Sequence, residues 1–285
     1  MRTKRYPFVI FLVLYGALAL WCVQSLIARG DLSLGRHPVQ NLKKTFVEMS
    51  HPSFFDAWEG NEHFEFKSDD GTVLRTENRK EGERNFLAAI VRAVWTTIRI
   101  ATLGSILGAI FALPLGLLTA KNLGAPKALS IPAKFLLDCS RSIHTLIFGL
   151  FFVGIIGLGP TAGILAICFH SLGTYGKLYA ETIETLDMGA IEAVRAVGAD
   201  PFQTFFFGVW PAVIPQFVSI NLYIWEYNIR DSTILGLIGA GGLGLLVSES
   251  ISLFQWGRLS TLLLVIIAMV VLFDSLSRRL RQELM

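Results

Sequence analysis

Residues 8–27, FVIFLVLYGALALWCVQSLI, run for twenty positions without a charged side chain. A helix rises about 1.5 Å per residue, so about twenty apolar residues cross the roughly 30 Å hydrocarbon core of a bilayer. The stretch follows the basic MRTKRY, a pattern shared by secretion signals and first membrane helices. Its apolar core is too long for a signal and no small-x-small cleavage site follows, so the helix is expected to be retained. Further apolar segments lie near 92–118, 134–157, 161–183, 203–229 and 258–277. Inside lipid only helices and closed barrels satisfy their own backbone hydrogen bonds, and continuous segments of this length read as helices. The fold class is therefore an all-α polytopic membrane protein with about six transmembrane helices. Charged residues make up 16% of the chain against about 25% in soluble domains, which excludes an ordinary soluble fold.

Three regions follow from this layout: an N-terminal transmembrane helix at 1–28, a polar insert at 29–85 and a membrane core at 86–285. The insert holds 11 Asp/Glu and 9 Lys/Arg. Within it 63-HFEFKS-68 alternates in polarity and 69-DDG-71 reads as a turn, so a small hairpin is expected there. With six helices both termini share one side, together with Arg2, Lys4, Arg5, Lys121, Lys127, Lys134, Arg278, Arg279 and Arg281. The positive-inside rule makes that side cytoplasmic and puts the insert in the periplasm. The net charge of +3 is too small to indicate nucleic acid as a partner. Cys22, Cys139 and Cys168 all lie in apolar stretches, so they read as small hydrophobes and no metal site is expected.

Ionisable groups within membrane segments are costly, and they face a cavity or pair with one another. In 138-DCSRSIH-144, Asp138, Arg141 and His144 recur every third residue along one side of a helix. In the next segment His170, Thr174, Lys177 and Glu181 occupy one narrow helical face. The run 226-EYNIRDS-232 places Glu226 and Arg230 four apart, with Asn228 between them. Asp138, Arg141, His144, His170, Lys177, Glu226, Asn228 and Arg230 are thus candidates for a polar solute pathway, and its cations suit an anion. The competing reading is structural pairing, or snorkelling to the membrane surface. Ser140, His144 and Asp138 do not form a catalytic set, because neighbours on a single helix do not bring a base onto a nucleophile.

Residues 239-GAGGLG-244 match the glycine pattern of a dinucleotide site, but no strand precedes them and no acid falls between Glu249 and Asp274. Gly239, Gly241, Gly242 and Gly244 instead predict a non-helical or re-entrant segment between the last two spans. There is no Walker A motif, so the chain is not expected to hydrolyse ATP or to act as an enzyme.

Between the fourth and fifth spans lies 192-EAVRAVGADPFQTFFFGVWPAVIP-215. Asp187 reads as the cap of a short helix near 188–198, Gly198 as its left-handed terminator, and Asp200-Pro201 as a second helix start. Ile191, Val194 and Val197 form an apolar stripe, and Glu192 and Arg195 are spaced to pair. Pro211 and Pro215 are expected to kink the helix after this corner.

Here the chain resembles the membrane (permease) subunits of ATP-binding-cassette importers. Glu192, Ala193, Gly198 and Pro211 match the Glu-Ala-Ala loop of those subunits, with departures at Val194, Gly208 and Trp210. The phrases 134-KFLLDCSRSIHTLIFGLFFVGIIGLGP-160, 225-WEYNIRDSTILGLIGAGGLG-244 and 273-FDSLSRRLR-281 resemble the phosphonate-import permease subfamily. The IGAGGLG phrase is shared with methionine-type permeases. The resemblance implies a type I importer permease fold whose 188–198 segment is a coupling helix. Glu192, Ala193, Arg195, Gly198, Ala199, Asp200 and Pro211 would then face an ATPase partner. It further implies a homodimer in the bacterial inner membrane with two ATPase subunits and a periplasmic substrate-binding protein. The chain itself would bind no cofactor, ATP and Mg²⁺ being held by the ATPase. The implied solute is a phosphonate or a related phosphorus oxyanion such as phosphite or hypophosphite. The alternatives are a permease for another small solute such as methionine, or an ATP-independent channel or secondary transporter, which inverted internal repeats would support.

Overall fold

A computed structural model describes residues 6–29, 38–59, 64–67 and 73–284. Arg2, Lys4 and Arg5 and the 69-DDG-71 turn lie outside the described residues. The chain divides into two compact units, residues 1–48 and 49–285. In the first, α1 (Tyr6–Arg29) carries the uncharged run, and none of its apolar window is buried within the chain. Its apolar residues are distributed all round, as suits a helix whose solvent is lipid. α2 (Pro38–Met49) is amphipathic, with Val39, Leu42 and Phe46 spaced along one face and all exposed.

The second unit begins with a short α3 (Asp56–Glu59) and a hairpin, β1 (Phe64–Lys67) antiparallel to β2 (Val73–Glu77), where Phe64 faces Glu77. Apart from this hairpin every regular element among the described residues is helical. α4 (Arg79–Thr119) starts where the Asn78 side chain accepts the Glu81 N–H at 3.1 Å, so its first turns are drawn from the polar segment.

The segment 134–157 is not one span. α5 (Lys127–Ser142) and α6 (Thr145–Ile156) meet at a 94° bend. Ile143 is extended, and the His144 side chain caps α6 by accepting the Leu146 N–H at 3.3 Å. The Thr145 hydroxyl donates to Asp231 at 2.6 Å, fixing the new direction. Among the described residues four helices are long and apolar enough to cross a membrane, five if this bent pair is counted as one. α7 (Pro160–Glu184) has the length of a span but carries a polar face, and it is covered by α4, α5, α6 and α10 (Trp210–Leu235). Its Ala166, Ile167, Tyr175 and Ile183 are fully enclosed.

After α7 come α8 (Met188–Ala196), a single turn α9 (Pro201–Thr204) and a π-type turn at Phe205–Val209 that leads into α10. Pro211 lacks an N–H, and Trp210 donates to Phe205 five residues back rather than four. Past α10 the backbone is irregular over 236–242, followed by α11 (Leu243–Ser252) and α12 (Trp256–Leu284). The core has two ends. Ile90, Ile229, Leu243 and Leu262 pack where α12 begins, and Tyr175, Tyr179, Val213 and Phe217 pack toward α8. At the α12 end Glu83 accepts from Arg258 Nε at 2.9 Å, stapling α4 to α12.

Candidate functional site

The first candidate is the corner around α8. Asp187 Oδ1 accepts the Gly189 N–H at 3.0 Å and sets the start of the helix. Gly198 stands at φ +88, and its N–H closes on the Arg195 carbonyl at 2.9 Å. Residues with a Cβ adopt that conformation at a cost, so glycine belongs at this helix stop. Asp200 and Gln203 then bond reciprocally: Gln203 N–H to Asp200 Oδ1 at 2.7 Å, and Asp200 N–H to Gln203 Oε1 at 3.1 Å. This is a capping box whose second member, Gln203, was absent from the sequence reading.

The expected apolar stripe on α8 holds only in part. Ile191 is 2% exposed and Val194 is half-buried, whereas Val197, at the helix end, is 84% exposed. Ile191 and Val194 sit over Gly208, where an added Cβ would lie 3.6 Å from Ile191 Cα and 3.7 Å from Val194 Cγ2. These are ordinary contact distances, so a methyl group would fit there; the π-type turn brings Gly208 directly beneath α8, and nothing in these contacts requires a glycine. Trp210 packs against Phe205 in a tilted arrangement at 5.9 Å and edge-on against Phe217 at 6.4 Å. Glu192 and Arg195 do not pair with each other as expected; both are exposed, as is Ala193, while Ala199 is half-buried. Pro211 is exposed in the first turn of α10. Val197, Phe202 and Phe207 are exposed apolar side chains on the residues that follow Glu192 and Arg195.

The second candidate is a groove along α7. A Cβ on Gly173 would meet Arg141 N and Leu137 O at 2.6 Å, so this glycine lets α5 press against α7. The two polar stripes read from the sequence consequently face one another. Asp138, Arg141, Lys177 and Glu181 line a cavity of about 500 Å³ together with Lys121, Lys134 and Glu184. Its ion pairs are Arg141–Asp138 at 3.8 Å, Lys177–Glu181 at 3.6 Å and Lys121–Glu184 at 3.8 Å. Arg141 also lines a second cavity of about 230 Å³, with His170, Ser171, Thr174, Tyr227 and Asn228. The His170 and His144 rings are 6.3 Å apart. His170 Nδ1 lies 2.9 Å from the Ile143 carbonyl, and since a carbonyl only accepts, this nitrogen carries the hydrogen. His144 Nδ1 accepts from a backbone N–H and so holds none.

Three predicted pathway residues divide differently. Asn228 is 0% exposed and binds α4 and α7 to α10, donating to Ser105 Oγ at 2.8 Å and Ser171 Oγ at 2.9 Å. Glu226, 6% exposed, has one oxygen on Arg230 at 2.7 Å and the other 3.6 Å from Arg281 of α12. Glu226 and Arg230 line neither of the two cavities; their pair lies within α10 with Arg230 half exposed, and the buried Glu226 ties α10 to α12 through Arg281. Sequence reasoning missed Arg281 as its third member and Asp231 as the partner of Thr145. Asp231 stood in the quoted run as a charge in an apolar segment, which was signal enough to single it out.

The glycine loop is structural. Gly239, Gly241 and Gly242 all have positive φ, at +97, +86 and +71, and the non-helical backbone expected there is present. Thr97 Oγ1 accepts the Leu243 N–H at 2.9 Å, and Gly239 accepts the Gly159 N–H at 3.0 Å, tying the loop to α4 and α7.

A bundle of apolar helices around a polar-faced α7, with a capped amphipathic corner, has the architecture of an importer permease. The family described as "binding-protein-dependent transport system inner membrane component" matches residues 112–284, and the chain belongs to it. It is therefore a multi-pass membrane component of an ATP-binding-cassette transport system. Among its relatives, the "phosphite transport system permease protein PtxC" of Stutzerimonas stutzeri is 38% identical over 193 residues, covering 68% of this chain and 70% of the relative. The "phosphate-import permease protein PhnE" of Mycolicibacterium smegmatis is 37% identical over 188 residues, which are 66% of this chain but 35% of that longer protein. A solved chain of the MetNI methionine ABC transporter, in an inward-facing form, superposes with a TM-score of 0.63 at 23% identity. The superposition covers 70% of this chain and 98% of that one, and it shows the shared fold.

Proposed function

We propose that the chain is the permease of an importer for a phosphorus oxyanion such as phosphite or a phosphonate, and that it works as a pair of identical copies with two ATPase subunits. A periplasmic binding protein delivers the solute at the end where α12 begins. The α8 end and both termini face the cytoplasm. ATP and Mg²⁺ belong to the ATPase, which receives α8 in a surface groove. Closure of the ATPases on ATP moves the two α8 helices and rocks the bundles between outward- and inward-open states. The observation that carries the coupling role is the exposure of Glu192, Arg195, Val197 and Phe202 on an otherwise well-capped corner. An amphipathic helix fixed at both ends and open on one side is suited to a protein groove. The solute class is supported by the named phosphite and phosphate permeases and by the cation-bearing groove.

The test is radiolabelled uptake into vesicles carrying permease, ATPase and binding protein, with phosphite, methylphosphonate and methionine compared. ATP-dependent phosphite or phosphonate uptake is expected. Uptake of methionine alone would reassign the solute, and uptake without ATP would overturn the coupled mechanism.

A further inference from the structure

The cavity of about 230 Å³ differs in chemistry from the larger one beside it, although the two share Arg141. Three carboxylates, Asp138, Glu181 and Glu184, line the larger cavity, and none lines the smaller. Ser171 and Asn228 are already bonded to each other, and Asn228 also to Ser105, so they form a finished wall. The remaining polar groups are the Arg141 guanidinium, His170, and the hydroxyls of Thr174, Tyr223 and Tyr227. None of these three hydroxyls makes a hydrogen bond among the described residues. With Nδ1 of His170 committed to Ile143, its Nε2 is the free ring nitrogen.

We propose that this chamber is a discrete stopping site for one small tetrahedral oxyanion. The identity of the solute rests on the functional reading above; the location and chemistry of the site rest on this geometry. Arg141 offers a planar fork matched to two oxygens of such an anion, and Thr174 and Tyr227 each donate one further bond. His170 Nε2, when neutral, accepts the hydrogen of a singly protonated oxyanion, while Arg141 holds its unprotonated oxygens. The volume falls below the roughly 300–1,000 Å³ common for drug-sized ligands and admits a solute of a few heavy atoms with its nearest waters. Asp138, 3.8 Å from Arg141 on the larger cavity's side, is the group the anion exchanges with on leaving.

The test uses the complete complex in vesicles and reads phosphite carried per ATP hydrolysed for Thr174→Val, Tyr227→Phe and Arg141→Lys. Each keeps side-chain volume close to wild type, and the lysine preserves a charge for Asp138. Each variant loses a hydrogen bond to a charged oxygen, so transport per ATP is expected to fall by about 10- to 150-fold in each. In parallel, equilibrium binding of labelled phosphite to the permease–ATPase complex without binding protein is expected to be weak but saturable, and lost in Arg141→Lys. Wild-type transport per ATP together with unchanged binding in all three variants overturns the chamber while leaving the importer reading intact. A wild-type complex that carries only methionine overturns both.

Discussion

Gly198 offers a test of whether the corner's backbone transmits force. The residue sits at φ +88, and a Cβ added there would meet nothing within 4 Å. Replacement by alanine therefore introduces no clash, and the cost is purely that of holding an L-residue in the left-handed region, about 1–2 kcal/mol. That sum is small against the stability of a domain but comparable with the stability of one exposed helix end. The strain is thus expected to fray the last turn of α8, releasing the Gly198–Arg195 bond, rather than unfold the bundle. Asparagine tolerates this region better than alanine, and valine worse. In reconstituted vesicles, ATP-driven uptake is expected to rank glycine, asparagine, alanine, valine, with alanine reduced about tenfold. Detergent-solubilised protein should keep its wild-type melting temperature through the series. Equal activity of glycine and valine variants, or a melting temperature that falls in step with activity, would refute the reasoning.

Two further outcomes rest on buried polar ties. Arg281→Ala leaves one Glu226 oxygen without a partner and is expected to lower stability by about 1–3 kcal/mol, with Glu226→Gln in the same chain restoring part of the loss, as read by thermal melting in a double-mutant cycle. Asn228→Ala removes the bonds to Ser105 and Ser171; at roughly 0.6 kcal/mol per interhelical bond in a membrane, plus the cavity left behind, about 2 kcal/mol should be lost. Chemical unfolding in detergent checks this figure, and an unchanged transition would show that the serines find other partners.

What was legible in the sequence depended on the range of the signal. Asp187, Gly198 and Asp200 act on backbone within three residues of themselves, and each occupies the predicted station in the structure. The stripe from His170 to Glu181 needs only helical periodicity, and it does line the groove. The break at Ile143 was invisible because its surroundings are as apolar as any span. It is fixed by Thr145 reaching Asp231, 86 positions away in the chain. Glu226 was paired with its helical neighbour Arg230, but its second partner, Arg281, comes from α12 and no local spacing announces it. Gly208 lies under Ile191 only because the π-type turn places it there, which no local pattern announces. Local backbone chemistry was readable; contacts between distant helices were not.

The arrangement of charge along the groove bears on how an importer releases what it binds. A chamber lined by a cation and no carboxylate is a trap unless the next cations are already occupied. Beyond Arg141, Lys177 is paired with Glu181 at 3.6 Å and Lys121 with Glu184 at 3.8 Å. Lys134 lines the same cavity outside these pairs, so an anion leaving the chamber meets one cation with no ion pair among the described residues and two whose carboxylates it must displace. Arg141 is the hinge of this scheme, since Asp138 competes for it from the far side at 3.8 Å. Both members of that pair are about half exposed, and such pairs are worth about 0–1 kcal/mol, so exchange with a transiting solute costs little. Strong binding in the membrane would slow release, and weak exchangeable pairs avoid it. In the proposed mechanism selectivity then falls to the binding protein, and the groove supplies passage for an anion that has already been chosen.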